Sequence, residues 1–146
     1  ELFKQKITQL FNFAFESKCI KSNEIKWMLN KEAEMVKYFR NTFLSVKVSY
    51  CNEIYDYCKS KGIDYDRIRN IAASDKRIGL SHTQVPGHDG QFGFGGTCFP
   101  KDTNGLLFDM KKNNLNSYIL ESAIKRNETH DRPQKDWAKD KGRTVV

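Results

Sequence analysis

The residue types most capable of chemistry lie in one short stretch, GFGGTCFPKD at positions 93–102. Its glycines can adopt backbone conformations with positive φ and let a ligand approach the main chain closely. Cys98 follows them, and Lys101 and Asp102 come three and four residues later. A thiolate attacks electrophilic carbon, and a carboxylate can transfer a proton. The stretch indicates either covalent chemistry at Cys98 or a glycine-rich surface loop in which Cys98 is a small buried residue.

Pro100 bears on the position of this cysteine, because proline is tolerated in the first turn of a helix. A helix that begins near Pro100 places Cys98 at or just before its N-terminus. There the positive end of the helix dipole stabilises a thiolate, and the charge of Lys101 acts in the same direction. We expect this helix to run to about Lys112 and to end at Asn113 and Asn114.

The longest predicted element is a helix from about residue 31 to residue 60. Asn30 is a suitable N-cap, and neither proline nor glycine occurs before Gly62. At 1.5 Å per residue, thirty residues span roughly 45 Å. Apolar side chains occur on more than one side, so other helices or a second subunit must cover them. A two-fold homodimer through this helix is therefore predicted, with Phe39, Phe43, Val46, Tyr50 and Ile54 on one broad side.

Shorter helices are predicted around this central one. One covers about residues 1–17, and a short one ends near Ala73, capped by Asp64 or Asp66, with Ile68 and Ile71 facing inward. Another starts at Asn116 or Ser117 and ends near Arg126. Glycines and a proline make residues 74–91 a long loop that leads to the Cys98 stretch. No β pattern is present, so the predicted fold class is all-α.

The stretch at 93–102 resembles the catalytic-cysteine motif of the UDP-glucose/GDP-mannose dehydrogenase family. The likeness covers roughly residues 32–146. Its further parts are EAEMVKYFRNTFL at 32–44, KV at 47–48, NE at 52–53, DKRIG at 75–79, KDW at 135–137 and KGR at 141–143.

This resemblance implies an NAD-dependent, two-step oxidation of a nucleotide sugar at C6, from alcohol to carboxylate. It makes Cys98 the nucleophile that forms a thiohemiacetal and then a thioester. Lys37 and Asn41 would stabilise oxyanions, and Asp102 would manage the proton or the water. It further implies a substrate-binding set, namely Phe94, Gly95, Gly96, Arg77 and Lys101, in which the arginine reaches the site of a partner subunit.

The expected substrate is UDP-glucose, which gives UDP-glucuronate, while GDP-mannose and UDP-N-acetylmannosamine stay open. The loop between Arg77 and Gly93 is longer than in many relatives. The roles of His82 and His88 within it therefore stay open as well.

Three segments follow from the resemblance. Residues 1–30 are expected to be a helical lead-in that trails from a Rossmann domain, and residues 31–128 a central dimerisation and catalytic-cysteine domain. Residues 129–146 form a charged tail or linker. No G-x-G-x-x-G opens a strand–turn–helix unit in this sequence. We therefore expect NAD to bind to a domain outside this chain, and the chain alone to be inactive.

Composition narrows the class of partner. A formal net charge of +7 over 146 residues favours anionic ligands, but lysine and arginine are scattered, so nucleic acid is not expected. The four cysteines form no regular framework, and the histidines have no metal-ligand spacing, which predicts a reducing compartment and no metal site. Neither a signal peptide nor a membrane-length apolar run is present, so a cytoplasmic protein is expected.

Two rival interpretations remain at this point. The first is a non-catalytic helical module for dimerisation or nucleic-acid binding. The second is a thiol hydrolase, in which Cys98 would need a histidine partner. His82 and His88 are the nearest histidines in sequence.

Overall fold

The computed structural model describes residues 1–138, and all regular structure in that range is helical. Helices α1 to α5 cover Leu2–Glu16, Asn30–Lys61, Tyr65–Ala72, Cys98–Lys112 and Tyr118–Arg126. A π-helical turn, Asn127–Asp131, continues α5, and a 3-10 turn covers Asp136–Ala138. The all-α prediction is confirmed for this part of the chain. The KGR match at 141–143 lies outside the described residues.

Residues 1–33 form one compact unit, and the chain from Glu34 onward forms another. In the first unit the large apolar side chains of α1 are exposed. The Asn23 amide donates to Asn12 Oδ1 over 2.9 Å, and the ring of Trp27 meets Phe3 edge-on at 6.4 Å. Among residues 1–138, no helix has the length and apolarity needed to cross a membrane.

The start of α2 differs by one residue from the prediction, because Asn30 is already helical and is not the cap. The N–H groups of Glu32 and Ala33 donate to the carbonyl oxygen of Leu29. The Glu32 carboxylate in turn accepts the Leu29 N–H over 2.7 Å. This return bond is half of a capping box, so a carboxylate in the first turn caps the helix where an asparagine was expected to.

Two apolar clusters make up the core of the second unit. One contains Cys51, Cys58, Tyr65 and Val85, and the other contains Phe94, Leu120 and Ile124. The two core cysteines are buried, as their spacing on one helical face predicts. The second cluster joins α2 to α5 through Val46 and Val48. This cluster buries the phenyl ring of Phe94, which belongs to the glycine-rich stretch. The core therefore directly supports the Cys98 region.

The prediction for α3 is partly wrong. Asp64 caps this helix by accepting the N–H of Arg67 over 3.1 Å, as expected. Ile68 and Ile71, however, are exposed. Tyr65 is buried in their place, because its ring packs edge-on against Tyr55 at 5.5 Å and occupies the core side of the helix.

Candidate active site

Cys98 is the first residue of α4, directly after Thr97 at the N-cap position. The predicted position at a helix start is thus confirmed. Its side chain is exposed, with Sγ 3.7 Å from the Thr97 hydroxyl oxygen. The unpaired N–H groups of a first helical turn stabilise a negative charge placed beside them. The Cys98 sulfur is therefore accessible to a ligand at the N-terminal turn of α4.

Asp102 lies one turn further along α4 and is 1% exposed. Its Oδ2 accepts a hydrogen bond from the Asn41 amide over 2.5 Å and lies 3.7 Å from the Lys37 ammonium. Lys101 pairs with its other oxygen. The structure therefore brings together four side chains that the resemblance assigned to the site, two from α2 and two from α4.

Two opposing influences act on the pKa of the Asp102 carboxyl. Burial raises it, but the hydrogen bonds from Lys101 and Asn41 and the charges of Lys101 and Lys37 lower it by more. The net effect is a pKa below the usual range of an aspartate. At neutral pH this buried carboxylate is ionised, so it is a proton acceptor held by two ammonium groups.

The glycine-rich stretch before Cys98 is held by Asn127, which is 0% exposed. Its Oδ1 accepts the Phe94 N–H over 2.8 Å, and its Nδ2 donates to the Phe94 carbonyl over 2.9 Å. Asn52 accepts the N–H of Gly93 over 3.1 Å. Gly93 has a φ of +68°, and a Cβ there would collide with the Asn127 amide oxygen. Only glycine fits at this contact.

Sequence reasoning missed Asn127, although a signal was present. Leu120, Ala123 and Ile124 are buried on one face of α5, and position 127 continues their three- and four-residue spacing. An asparagine at an apolar position of such a stripe indicates a buried polar contact. The Phe94 N–H is taken by Asn127 and the Phe94 ring is in the core, while the predicted role of Phe94 in substrate binding stays a prediction.

The loop after α3 brings His82 next to the cysteine motif. The Lys47 ammonium donates to the carbonyl oxygens of Ile78, Gly79 and Ser81 over 2.6–3.0 Å, which ties this loop to α2. The His82 ring centroid lies 5.5 Å from that of Phe99. Burial lowers the His82 pKa, and electrostatic interactions with Lys47 and His88 lower it further, so this imidazole is neutral at neutral pH.

A pocket of about 270 Å³ lies beside the first turn of α4. We call it the glycine-loop pocket, and its walls include Gly93–Gly96, His82, His88 and Phe99. Cys98 comes between two of its lining residues in sequence. The volume is slightly below the roughly 300–1,000 Å³ of whole small-molecule sites, so the pocket has room for one ring-sized group rather than for a whole drug-sized ligand.

Arg77 is not drawn into this group of residues. Its guanidinium is 89% exposed and pairs with Asp75 over 2.6 Å. Its predicted reach into the site of a partner subunit stays a prediction.

Comparison with known sequences identifies the family to which this arrangement belongs. The sequence model for the central domain of the UDP-glucose/GDP-mannose dehydrogenase family matches residues 31–129. The chain belongs to this family. The resemblance drawn from the cysteine motif is therefore confirmed, and the match includes both α2 and the start of α4.

Several curated relatives are similar over the same region. The UDP-glucose 6-dehydrogenase of Pseudomonas aeruginosa is 39% identical over 100 residues, which are 68% of this chain and 21% of the relative. UDP-glucose 6-dehydrogenase TuaD of Bacillus subtilis is 37% identical over 67% of this chain and 20% of its own length. The GDP-mannose 6-dehydrogenase of Pseudomonas putida is 34% identical over 66% and 22%. The chain thus spans about a fifth of the length of these members of the dehydrogenase family.

The resemblance to the family implied NAD, but residues 1–138 do not fit that cofactor. Dinucleotide sites are built where a strand turns through a glycine-rich loop into a helix. No strand occurs among the residues that the structure describes. The glycines at 93–96 lead instead into the cysteine helix of the family motif.

Proposed function

We propose that this chain is the catalytic-cysteine part of an NAD-dependent UDP-glucose 6-dehydrogenase. One observation carries the proposal. Asp102 lies one turn after the exposed Cys98 in α4, accepts a hydrogen bond from Asn41, and lies 3.7 Å from the Lys37 ammonium. A cysteine on a surface loop would not require these partners from a helix some sixty residues earlier. Membership of the family supports the same chemistry.

The proposed chemistry of the chain's own residues begins with the Cys98 thiolate and a C6 aldehyde. A sulfur–carbon bond forms, the carbonyl π bond breaks, and the oxygen becomes an alkoxide that takes up a proton. Lys37 and Asn41 supply a positive charge and an amide donor for that oxygen, which is electrostatic stabilisation of a developing anion. In the later hydrolysis of a thioester, ionised Asp102 accepts a proton from the attacking water.

NAD supplies the hydride acceptor in this proposal. Because the described residues hold no site for it, no oxidation step is assigned to them. The roles proposed here are those of the thiol, the oxyanion donors and the base.

The substrate is proposed to be a nucleoside-diphosphate sugar whose sugar ring enters the glycine-loop pocket. Gly96 allows close approach of the ring to the backbone, because a Cβ there would meet no atom within 4 Å, and Lys101 adds positive charge beside Cys98. The exposed Arg77 offers a guanidinium suited to a diphosphate, in keeping with the net charge of +7. Named relatives include enzymes for UDP-glucose and for GDP-mannose, and UDP-glucose is the commoner name among those quoted above.

The proposal predicts that UDP-glucose protects Cys98 from alkylation. Iodoacetamide is applied to the full chain with rising UDP-glucose, and modification of each cysteine is followed by peptide mass mapping. Cys19, which is also exposed and lies in residues 1–33, is the internal control. At saturation we expect the Cys98 rate to fall about tenfold or more, since a bound sugar covers the sulfur, while the Cys19 rate stays constant.

The competing outcomes of this experiment are distinct. Stronger protection by GDP-mannose than by UDP-glucose would correct the substrate and keep the site. If no nucleotide sugar lowers the alkylation rate of Cys98 relative to that of Cys19, the proposed function is rejected.

We also propose a homodimer through α2. Phe43, Tyr50 and Tyr57 recur every seven residues along this helix, Phe39 stacks on Phe43, and all four rings are exposed. Phe39 and Phe43 also line an apolar groove of about 590 Å³ between α2, α4 and α5, in which Met110 of α4 and Ile119 of α5 take part. An exposed apolar stripe at seven-residue spacing matches the seam by which two helices pair.

Replacing Phe43 with glutamate should convert the dimer into a folded monomer, because the change buries a charge at the centre of the stripe. The measurement is light scattering at micromolar concentration, with circular dichroism to establish folding. Ile71→Glu is the matched control, since Ile71 is equally exposed but lies on α3. A monomeric wild-type chain, or a Phe43→Glu dimer as tight as the wild type, would contradict the proposed interface.

A further inference from the structure

Arg132 is a buried arginine in the wall of the glycine-loop pocket, and 4% of its side chain is exposed. Its Nε and Nη2 donate to the two carboxylate oxygens of Asp136, each over 2.6 Å. Its Nη1 donates to Asp89 Oδ2 over 2.7 Å. Every nitrogen of the guanidinium thus has a carboxylate partner, which fixes the plane of the group.

One face of this plane covers the backbone of the glycine-rich stretch. A Cβ added at Gly95 would lie 2.6 Å from Nη1 and 2.8 Å from Nε of Arg132, and it would collide with Cζ as well. The guanidinium therefore touches the backbone at the position where any other residue would carry a side chain. Gly95 is needed here for contact rather than for an unusual φ, since its φ is not positive.

The two carboxylates connect this contact to two further segments. Asp89 belongs to the tight turn at residues 87–91, in which Gly87 donates to the Gln91 carbonyl and Asp89 accepts the Gln91 N–H. That turn, which includes His88, forms part of the wall of the glycine-loop pocket. Asp136 belongs to the 3-10 turn beyond α5 and beyond the residues matched by the family.

We propose that Arg132 is a positioning residue for the candidate active site. Its guanidinium, held by Asp89 and Asp136, acts as a flat support that fixes the backbone of Gly95 and Gly96 and the turn at 87–91 around the sugar subsite. The inference rests on the proposed function, because it assigns the supported backbone to a nucleotide sugar. It adds a role for the residues after α5 and a reason for the glycine at position 95.

Arg132→Lys is the informative variant, because it keeps the positive charge but removes the planar face and the paired donors. Asp89→Asn is the second variant. Asp89 is half-exposed and Arg132 keeps its pairing with Asp136, so this chain is expected to fold. Arg67→Lys, at an exposed position of α3, is the matched control.

Two measurements on the full chain test the role. Hydrogen exchange read by mass spectrometry should show exchange at residues 93–97 faster by about fivefold in Arg132→Lys, with α3 and α5 unchanged. The UDP-glucose concentration that half-protects Cys98 should rise about tenfold, because displaced contacts weaken binding of an oriented ligand. Asp89→Asn should shift both quantities in the same direction, and Arg67→Lys should shift neither.

The outcomes separate this inference from the proposed function, because the exchange measurement needs no ligand. If UDP-glucose does not protect Cys98 of the wild type from alkylation, the proposed function is rejected. The hydrogen-exchange result then decides the role of Arg132 by itself. If the hydrogen-exchange rate at residues 93–97 in both variants equals the wild-type rate, the positioning role is overturned. An equal rise in exchange over the whole chain, which indicates a general contribution to stability, would also overturn it. If Arg132→Lys lacks a cooperative thermal transition, Asp89→Asn decides by the same criteria.

Discussion

Replacing Asn127 with alanine should lower the free energy of unfolding by about 3 kcal/mol, because a buried N–H and a buried carbonyl both lose their partner. Asn127 is completely buried, and its amide makes both hydrogen bonds to the backbone of Phe94. No water can replace an amide in a site closed on all sides unless the core opens. The measurement is urea denaturation followed by circular dichroism.

The control for this prediction is Asn70→Ala at an exposed position of α3, which should change the free energy of unfolding by about 0.5 kcal/mol or less. Asn127→Asp adds a second reading, since it keeps the size but loses the donor to the Phe94 carbonyl. A loss below about 1 kcal/mol for Asn127→Ala would mean that the glycine-rich stretch is not anchored through this amide.

The second large effect concerns Cys98→Ser. The wild-type chain should bind the C6 aldehyde of UDP-glucose more tightly than UDP-glucose itself by about tenfold, or about 1.4 kcal/mol, because only the aldehyde adds to the thiolate. Cys98→Ser should bind the two ligands equally, since a neutral serine hydroxyl is a far weaker nucleophile than a thiolate. Calorimetric titration of both ligands provides the comparison.

Cys19→Ser is the matched control, because Cys19 is the other exposed cysteine. It should keep the preference for the aldehyde in full. A preference that survives in Cys98→Ser, or that disappears in Cys19→Ser, would assign the nucleophile elsewhere.

The parts of the fold that are local in sequence could be predicted. The start of α4 at Cys98 follows from closely spaced glycines that disfavour helix before it and a proline that is tolerated in its first turn. The extent of α2 follows from the absence of breakers between Asn30 and Gly62. In such cases the signal lies within a few residues of the feature, and no tertiary contact is needed to interpret it.

Part of the face that α2 turns toward the core could not be predicted, because it is polar. Thr42, Ser45 and Ser49 are buried there, while Phe43 and Tyr50 on the same helix are exposed. The hydroxyls of Thr42 and Ser45 bond to the carbonyls of Tyr38 and Asn41 one turn earlier. Because the helix itself satisfies these groups, they can be buried at low cost, and apolar periodicity then indicates the outer side of the helix.

Contacts between distant residues were also beyond the sequence. Asn127 bonds to the backbone of Phe94, which lies 33 residues away along the chain. Arg132 bonds to the carboxylate of Asp89, which lies 43 residues away. Neither residue belongs to a local motif with a known chemical role. Asp102 and the three side chains around it could be named in advance only because the family resemblance supplied them, and their proximity is a property of the fold.

The central claim, that Cys98 captures a sugar aldehyde, is tested most directly by carbon-13 NMR. UDP-glucose aldehyde labelled at C6 is mixed with an equimolar amount of the full chain. The account predicts a new C6 resonance in the range of a carbon bonded to one oxygen and one sulfur, absent from Cys98→Ser and present in Cys19→Ser. A spectrum of the equimolar mixture with the wild-type chain that shows only the resonances of the unattached aldehyde and its hydrate would contradict it.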